Sequence, residues 1–271
     1  MKSSIVDSIK SLPPLSQTII DINKIYADPE ASLQDISKVV ERDPMVIANL
    51  LKAANSPLYG FSKEINNPSQ AVSLFGMNTT RSIAISNSVR KLLNVDMQPY
   101  GITSERFAEI SELQASLMMN WYKKIDKTKA EKLYLATFLQ ETGKIIIANE
   151  IIQKDETTAF YSEVELSNNL AQVEKMYVDV TSSEISAEIF EHWNFDDEFV
   201  NMIKYADNPS EAPSEVKEFS SALNIVKAIV SINKPFSEVS INIGLKKASD
   251  AGYNLELLED SVNDILDKQE K

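Results

Sequence analysis

The sequence holds no cysteine and one histidine, His192, in 271 residues. The first absence removes disulfides, thiolate nucleophiles, iron–sulfur clusters and every cysteine-based zinc site. The second removes multi-histidine metal centres. Glycine is scarce, at six residues, and runs of alternating β-branched residues are almost missing, so strands have little support. No stretch approaches the roughly 18 uninterrupted apolar residues that a membrane span needs. The opening segment MKSSIVDSIKSLPPL is broken by Asp7, Ser8, Lys10 and Pro13 and carries no signal-peptide apolar core. A cytoplasmic protein is the expectation. Gly-x-Ser-x-Gly and His-Glu-x-x-His patterns and a glycine-rich phosphate loop are also missing.

What is present is an ordinary globular composition, 43% hydrophobic and 25% charged, with a formal charge of −13. That charge sits in one place. Between Asp155 and Glu218 there are 16 acidic residues against Lys175, Lys204 and Lys217, and the remainder balances at 24 of each sign. Such a face repels phosphate backbones, so nucleic acid is not an expected partner. It reads as a solvated helical surface, with a docking face for a basic partner as the alternative.

Apolar residues recur at helical spacing nearly throughout, as in Leu15, Ile19, Ile22 and Ile25 or Leu33, Ile36 and Val39. The pattern predicts helices over 3–11, 16–27, 32–42, 44–55, 68–75, 78–94, 104–125, 129–153, 162–178, 182–193, 196–206, 215–233, 237–250 and 254–268. Ser32-x-x-Asp35, Thr128-x-x-Glu131, Ser162-x-x-Glu165 and Thr181-x-x-Glu184 read as capping boxes. Asp43-Pro44 and Asn67-Pro68 set a capping side chain before a proline at the first helical position. The fold class is all-α. Asn208–Pro213 reads as a loop within one body, with a softer division near 95–103.

Six segments in order resemble the HDOD family. The clearest is Asp43–Gly60, DPMVIANLLKAANSPLYG. Around it stand Pro13-Pro14-Leu15, Ile65 with Ser69–Gly76, Ser111-x-x-x-Ala115, FLQETGKI over Phe138–Ile145, and Ile203–Pro209. The likeness covers residues 12–210, and 211–271 are expected to complete the same helical body. It implies a compact multi-helix bundle with an N-terminal helical subdomain, related to the HD metal-dependent phosphohydrolases and the HD-GYP cyclic di-GMP phosphodiesterases. Those enzymes gather His and Asp side chains around metal ions, which polarise a phosphoryl oxygen and generate hydroxide.

The resemblance also says where those ligands would stand. The first histidine falls near Ile110, the His-Asp pair on Gln140-Glu141, and the later histidines on Ala206 and Asp207. A final acid is expected on the helix containing Phe219–Asn233, which has no Asp or Glu. An amide, a carboxylate and an isoleucine do not reproduce a mixed imidazole and carboxylate shell. We therefore expect no catalytic residue, no metal and no cofactor. Ile110, Gln140, Glu141, Lys144, Ala206 and Asp207 mark the relic cleft.

Other groups have bland readings beside sharper ones. In Gly143-Lys144, glycine reads as close helix approach and lysine as a side chain snorkelling outward, with anion binding as the alternative. Asn55-Ser56 reads as a helix C-cap rather than a ligand contact. Leu117, Met118, Met119, Trp121 and Tyr122 read as core, with a Met-lined binding surface as the alternative. His192 reads as a surface or packed histidine. Arg81, Arg90 and Lys91, and the lysines from Lys123 to Lys132, are the basic clusters; the second, which includes Asp126 and Glu131, reads as a solvated turn between helices that could also complement the acidic face of a second copy.

Two functional classes follow. The first is a stand-alone, non-catalytic signal-transduction protein working through a signalling partner or a bound nucleotide; the family implies regulatory, motility or cyclic-dinucleotide settings. The second is a residual phosphohydrolase or phosphodiesterase holding a divalent ion through Glu141 and Asp207.

Overall fold

The computed structural model describes residues 3–61, 63–93 and 96–269. Every regular element among them is helical. The α-helices are α1 (Ser3–Lys10), α2 (Gln17–Ala27), α3 (Leu33–Val40), α4 (Pro44–Ala54) and α5 (Pro68–Leu93), followed by α6 (Ser104–Tyr122), α7 (Lys127–Leu139) and α8 (Gly143–Gln153). Then come α9 (Thr157–Leu166), α10 (Leu170–Val178), α11 (Ser182–His192) and α12 (Asp197–Lys204). The chain closes with α13 (Ser214–Ile229), α14 (Glu238–Asp250) and α15 (Leu255–Gln269). Short 3-10 turns occupy Gln98–Tyr100 and Pro209–Glu211. Among the described residues no helix is long and apolar enough to cross a membrane.

Helices α2 to α5 pack on one another as an N-terminal group, and α5 joins them to the rest through α7. The second group is built on α6 and α7, with α13 lying across both, α15 against α6, and α8, α11 and α12 in sequence beside them. One buried apolar cluster runs through both groups, from Ile5 to Ile265. Leu117, Met118, Trp121 and Tyr122 lie inside it, as their density on one helix suggested. The N-terminal α1 reaches back onto α8 and α11. There Trp193 Nε1 donates to the Pro13 carbonyl at 3.0 Å, and the exposed His192 ring lies 3.3 Å from the Leu12 carbonyl.

Local signals explain most helix ends. The Asp43 carboxylate accepts from Met45 N–H at 3.0 Å and Val46 N–H at 3.2 Å, ahead of Pro44 at the first helical position. Asn55 ends α4, its amide donating to the Leu51 and Ile65 carbonyls while its oxygen accepts from Ile65 N–H. Both Ser32/Asp35 and Thr181/Glu184 form capping boxes. The Ser32 hydroxyl and N–H, with Lys38, hold the Asp35 carboxyl down to about 2.

Four expectations need correction. The predicted helix over 129–153 is two, because the chain tightens at 140–142: Thr142 N–H reaches back to Leu139 and Lys144 N–H to Glu141. The helix over 162–178 is also two, divided at 167–169. Thr128 and Glu131 form no box, since Asp126 caps α7 by accepting from Thr128 and Lys129 N–H. Ser162 lies inside α9, where its hydroxyl bonds back to the Thr158 carbonyl at 3.0 Å. The division predicted at 76–77 is observed: Gly76, with φ 74° and ψ 179°, leaves helical geometry and separates the two helical segments of α5. Asn94, the predicted end of that helix, and Val95, at the start of the softer division, lie outside the described residues.

The basic stretch after α6 finds its acidic complement within the chain. Lys129 pairs with Glu218 at 2.7 Å, Lys132 with Glu198 at 2.8 Å and Lys124 with Asp264 at 3.5 Å. These pairs are solvent-exposed and contribute little each. The Asp43 cap carries more: Asp43→Ala should lower stability by about 0.5–2 kcal/mol in urea denaturation. An unchanged midpoint would show that Pro44 alone sets the start of α4.

Candidate functional site

The tightened turn between α7 and α8 is where the site begins. It directs Gln140 and Glu141 inward instead of letting them continue a helical face, and α8 starts at once with Gly143. A β-carbon at Gly143 would lie 2.1 Å from the Ser182 carbonyl oxygen, so only glycine lets α8 approach α11 this closely. Gly143 N–H donates to Ser186 Oγ at 2.8 Å, and that hydroxyl also lies 3.0 Å from the Gln140 carbonyl oxygen. Helix α11 thus clamps the turn.

Five charged side chains meet behind it. Lys144, on the first turn of α8, is 1% exposed and its ammonium donates to Glu174 of α10 and to Ser182 Oγ at 3.0 Å. Glu174 also accepts from the Tyr100 hydroxyl at 3.1 Å and from Ser182 N–H at 2.6 Å. Lys227 of α13 donates to Asp207, beyond α12, at 2.7 Å and to Ser183 Oγ at 3.0 Å. Glu141 stands between the two ammoniums: its Oε2 is 3.3 Å from Lys144 Nζ and 3.7 Å from Lys227 Nζ. Its other oxygen accepts from Gln114 of α6 at 3.1 Å. Gln114 in turn accepts from Gln140 Nε2 at 2.8 Å and donates to the Val230 carbonyl.

The structure therefore brings Glu141, Lys144 and Asp207 together and links Gln140 to them through Gln114. Ile110 and Ala206 do not join in. Both are fully buried apolar residues, Ile110 one turn before Gln114 on α6, and Ala206 offers only its carbonyl, to Asn224. The reading of Lys144 as an outward, snorkelling side chain is corrected. Close helix packing around Gly143 leaves it no path to solvent, and two buried carboxylates hold it.

Glu174, Lys227 and Gln114 stand outside the residues to which the family resemblance points. A signal existed: each is a polar residue on an apolar helical stripe. Glu174 sits one turn from Leu170 and Val178, Lys227 from Leu223, and Gln114 from Ile110 and Met118.

Burying five charges is costly, and pairing must offset desolvation. Burial pushes the Asp207 carboxyl up, but the Lys227 and Lys144 ammoniums outweigh it and hold the group well below the usual carboxylate range. Burial pushes Lys227 down, yet Asp207, Glu141 and Glu174 together raise it above its ordinary value. Burial and the neighbouring Glu174 carboxylate push the Tyr100 hydroxyl well up, which keeps it a neutral donor.

The donor set does not fit a metal centre. Gln140 directs its amide at Gln114 and leaves its own Oε1 without a hydrogen bond; Glu141 Oε2 makes none either, but faces two ammonium groups rather than an open position, and Asp207 is bonded by Lys227. No group of three or more His, Cys, Asp or Glu among the described residues is arranged to hold an ion. Glu141, Lys144, Asp207 and Lys227 face a cleft of about 280 Å³, whose other walls come from α13, α14 and the start of α10.

The described residues form an all-helical body whose central turn sets two ammonium groups among three buried carboxylates. A model of the HDOD domain matches residues 12–209, and the chain belongs to the HDOD family. It is 26% identical to a virulence factor from Campylobacter jejuni, with a TM-score of 0.58 over 98% of this chain and 96% of that one. A candidate phosphohydrolase from Shewanella amazonensis SB2B superposes at a TM-score of 0.75 with 20% identity, over 98% and 95% of the two chains. A candidate signal transduction protein from Marinobacter aquaeolei VT8 does so at 0.72 with 20% identity, over 96% of this chain and 58% of that one. The last two likenesses speak for the fold. The chain spans 43% of the length of a curated Treponema pallidum relative, 22% identical over 232 residues.

The charge lattice makes a stability prediction with a definite sign. Asp207 has a lowered pKa, so its contribution is complete above the unfolded value of roughly 3.9 and is lost as pH falls through the folded value. Lys227 has a raised one, so its contribution is complete below roughly 10.4 and is lost as pH rises through the folded value. Lys227→Met should cost about 3–5 kcal/mol at neutral pH, because it strands buried carboxylates. Part of that loss should return between pH 7 and 5, as the stranded Asp207 takes up a proton. Urea midpoints across this range check it, and a variant as stable as the parent at pH 7 would contradict it.

Proposed function

We propose that the chain is a non-catalytic regulatory module that acts through a protein partner or a bound ligand. The observation that carries this reading is the placement of Lys144 and Lys227 among Glu141, Glu174 and Asp207. In the HD enzymes that the family resembles, cations at this kind of site are metal ions with coordination positions open to water and substrate. An ammonium supplies positive charge without an open coordination position. Lys227, held protonated by its carboxylates, is equally unsuited to act as a general base.

Regulatory function in this family would then reside in surfaces and in the cleft. The name of the Marinobacter neighbour, a candidate signal transduction protein, agrees with that view, whereas the phosphohydrolase name belongs to the Shewanella protein. Motility and cyclic-dinucleotide pathways are the settings in which to seek partners.

Residual phosphohydrolase activity is the competing reading, because Glu141 and Asp207 both line the cleft. Steady-state assays with manganese or magnesium and phosphodiester substrates should give no turnover above buffer, and Glu141→Ala should behave identically. Metal-dependent turnover that Glu141→Ala abolishes would replace our reading with the enzymatic one.

A further inference from the structure

The cleft in front of the charge lattice has two lysines to spare. Lys144 and Lys227 are committed to the buried carboxylates, but Lys234 and Lys247 also line it. Both are half-buried, and among the described residues neither ammonium makes a hydrogen bond or an ion pair. Around Lys247 burial pushes the pKa down, against the more distant Asp207 and Asp250. A partly desolvated cation with no partner is the kind of group that an anion relieves.

The lining carries four lysines against Glu141 and Asp207. Glu174 behind Lys144 and Asp250 on the helix of Lys247 bring the local charge to balance, so the two ammonium groups without a direct partner, rather than a net excess, invite an anion. The start of α10 adds neutral donors. Leu170 and Ala171 border the cleft as the first two residues of that helix, where backbone N–H groups have no intrahelical acceptor. The Asn169 side chain caps Gln172 N–H and leaves those two amides to others.

We infer that this cleft binds a phosphate-type anion between Lys234, Lys247 and the N-terminal end of α10, and does not hydrolyse it. This rests on the non-catalytic reading above. At about 280 Å³ the cleft lies at the small end of ligand sites, which run from roughly 300 to 1,000 Å³. Such a volume suits inorganic phosphate or a phosphate ester with one small organic group, and a cyclic dinucleotide exceeds it.

The test is calorimetric titration of the full chain with inorganic phosphate, AMP, adenosine and cyclic di-GMP, with phosphate release followed in the AMP sample. Phosphate or AMP should bind and adenosine should not. Tighter binding of AMP would identify an ester as the source of the anion, and equal binding would identify phosphate itself. Lys234→Gln with Lys247→Gln should weaken binding by roughly tenfold or more per lysine, while circular dichroism stays unchanged because neither side chain is paired in the fold. Absence of binding by both anions, binding unaltered in the double variant, or binding of cyclic di-GMP at this cleft would overturn the inference and leave the non-catalytic reading standing. Phosphate released from AMP by the parent protein would overturn both.

Discussion

The structure depends on neutralising three carboxylates inside a helical core with two ammonium groups. Glu141, Glu174 and Asp207 come from the α7–α8 turn, from α10 and from the segment after α12, and Lys144 and Lys227 from α8 and α13. Five parts of the second helical group are therefore held in register by one electrostatic cluster. The serines at the start of α11 add acceptors, Ser182 Oγ to both lysines and Ser183 Oγ to Lys227. Close approach at Gly143 makes the arrangement possible. Without it α11 would stand off, and the cluster would open to water.

This cluster also gives the family resemblance its functional content. A metal ion at such a site both balances charge and offers coordination positions for chemistry. On the proposed reading, lysines take over the first task and leave the second unfilled. Ile110, Gln140 and Ala206, where the resemblance would place imidazoles, carry none. Lys227, on the helix where the resemblance would place a final acid, supplies a positive charge to Asp207 and Glu141. What remains is a stable polar core with a small cationic cleft at its surface, a form suited to recognition.

Helical content was legible in the sequence because apolar spacing and capping side chains are local signals. Asp43-Pro44, Thr181 with Glu184 and the apolar block on α6 all behave as their patterns imply. The errors share a cause. Helix boundaries within 129–153 and 162–178 are set by tertiary contacts, above all the clamp of α11 on Gln140–Gly143, and apolar periodicity continues across the breaks. Ser162 and Thr128 match a capping pattern whose geometry is decided by where the helix actually begins. At the site, the resemblance located Glu141, Lys144 and Asp207 but not their partners. The burial of Lys144 has no local mark, because a lysine next to glycine looks the same in sequence whether it reaches solvent or pairs inside. Glu174, Lys227 and Gln114 do carry one, as polar residues on apolar stripes.

The most direct measurement is thermal unfolding of the chain in millimolar manganese or magnesium compared with a chelator. A cation that binds the native site raises stability in proportion to the logarithm of its concentration over its dissociation constant. If the ammonium groups of Lys144 and Lys227 already supply the counter-charge, the unfolding temperature is the same in metal and in chelator. A rise of several degrees with either metal, saturating at one ion per chain and abolished by Glu141→Ala, would contradict the account.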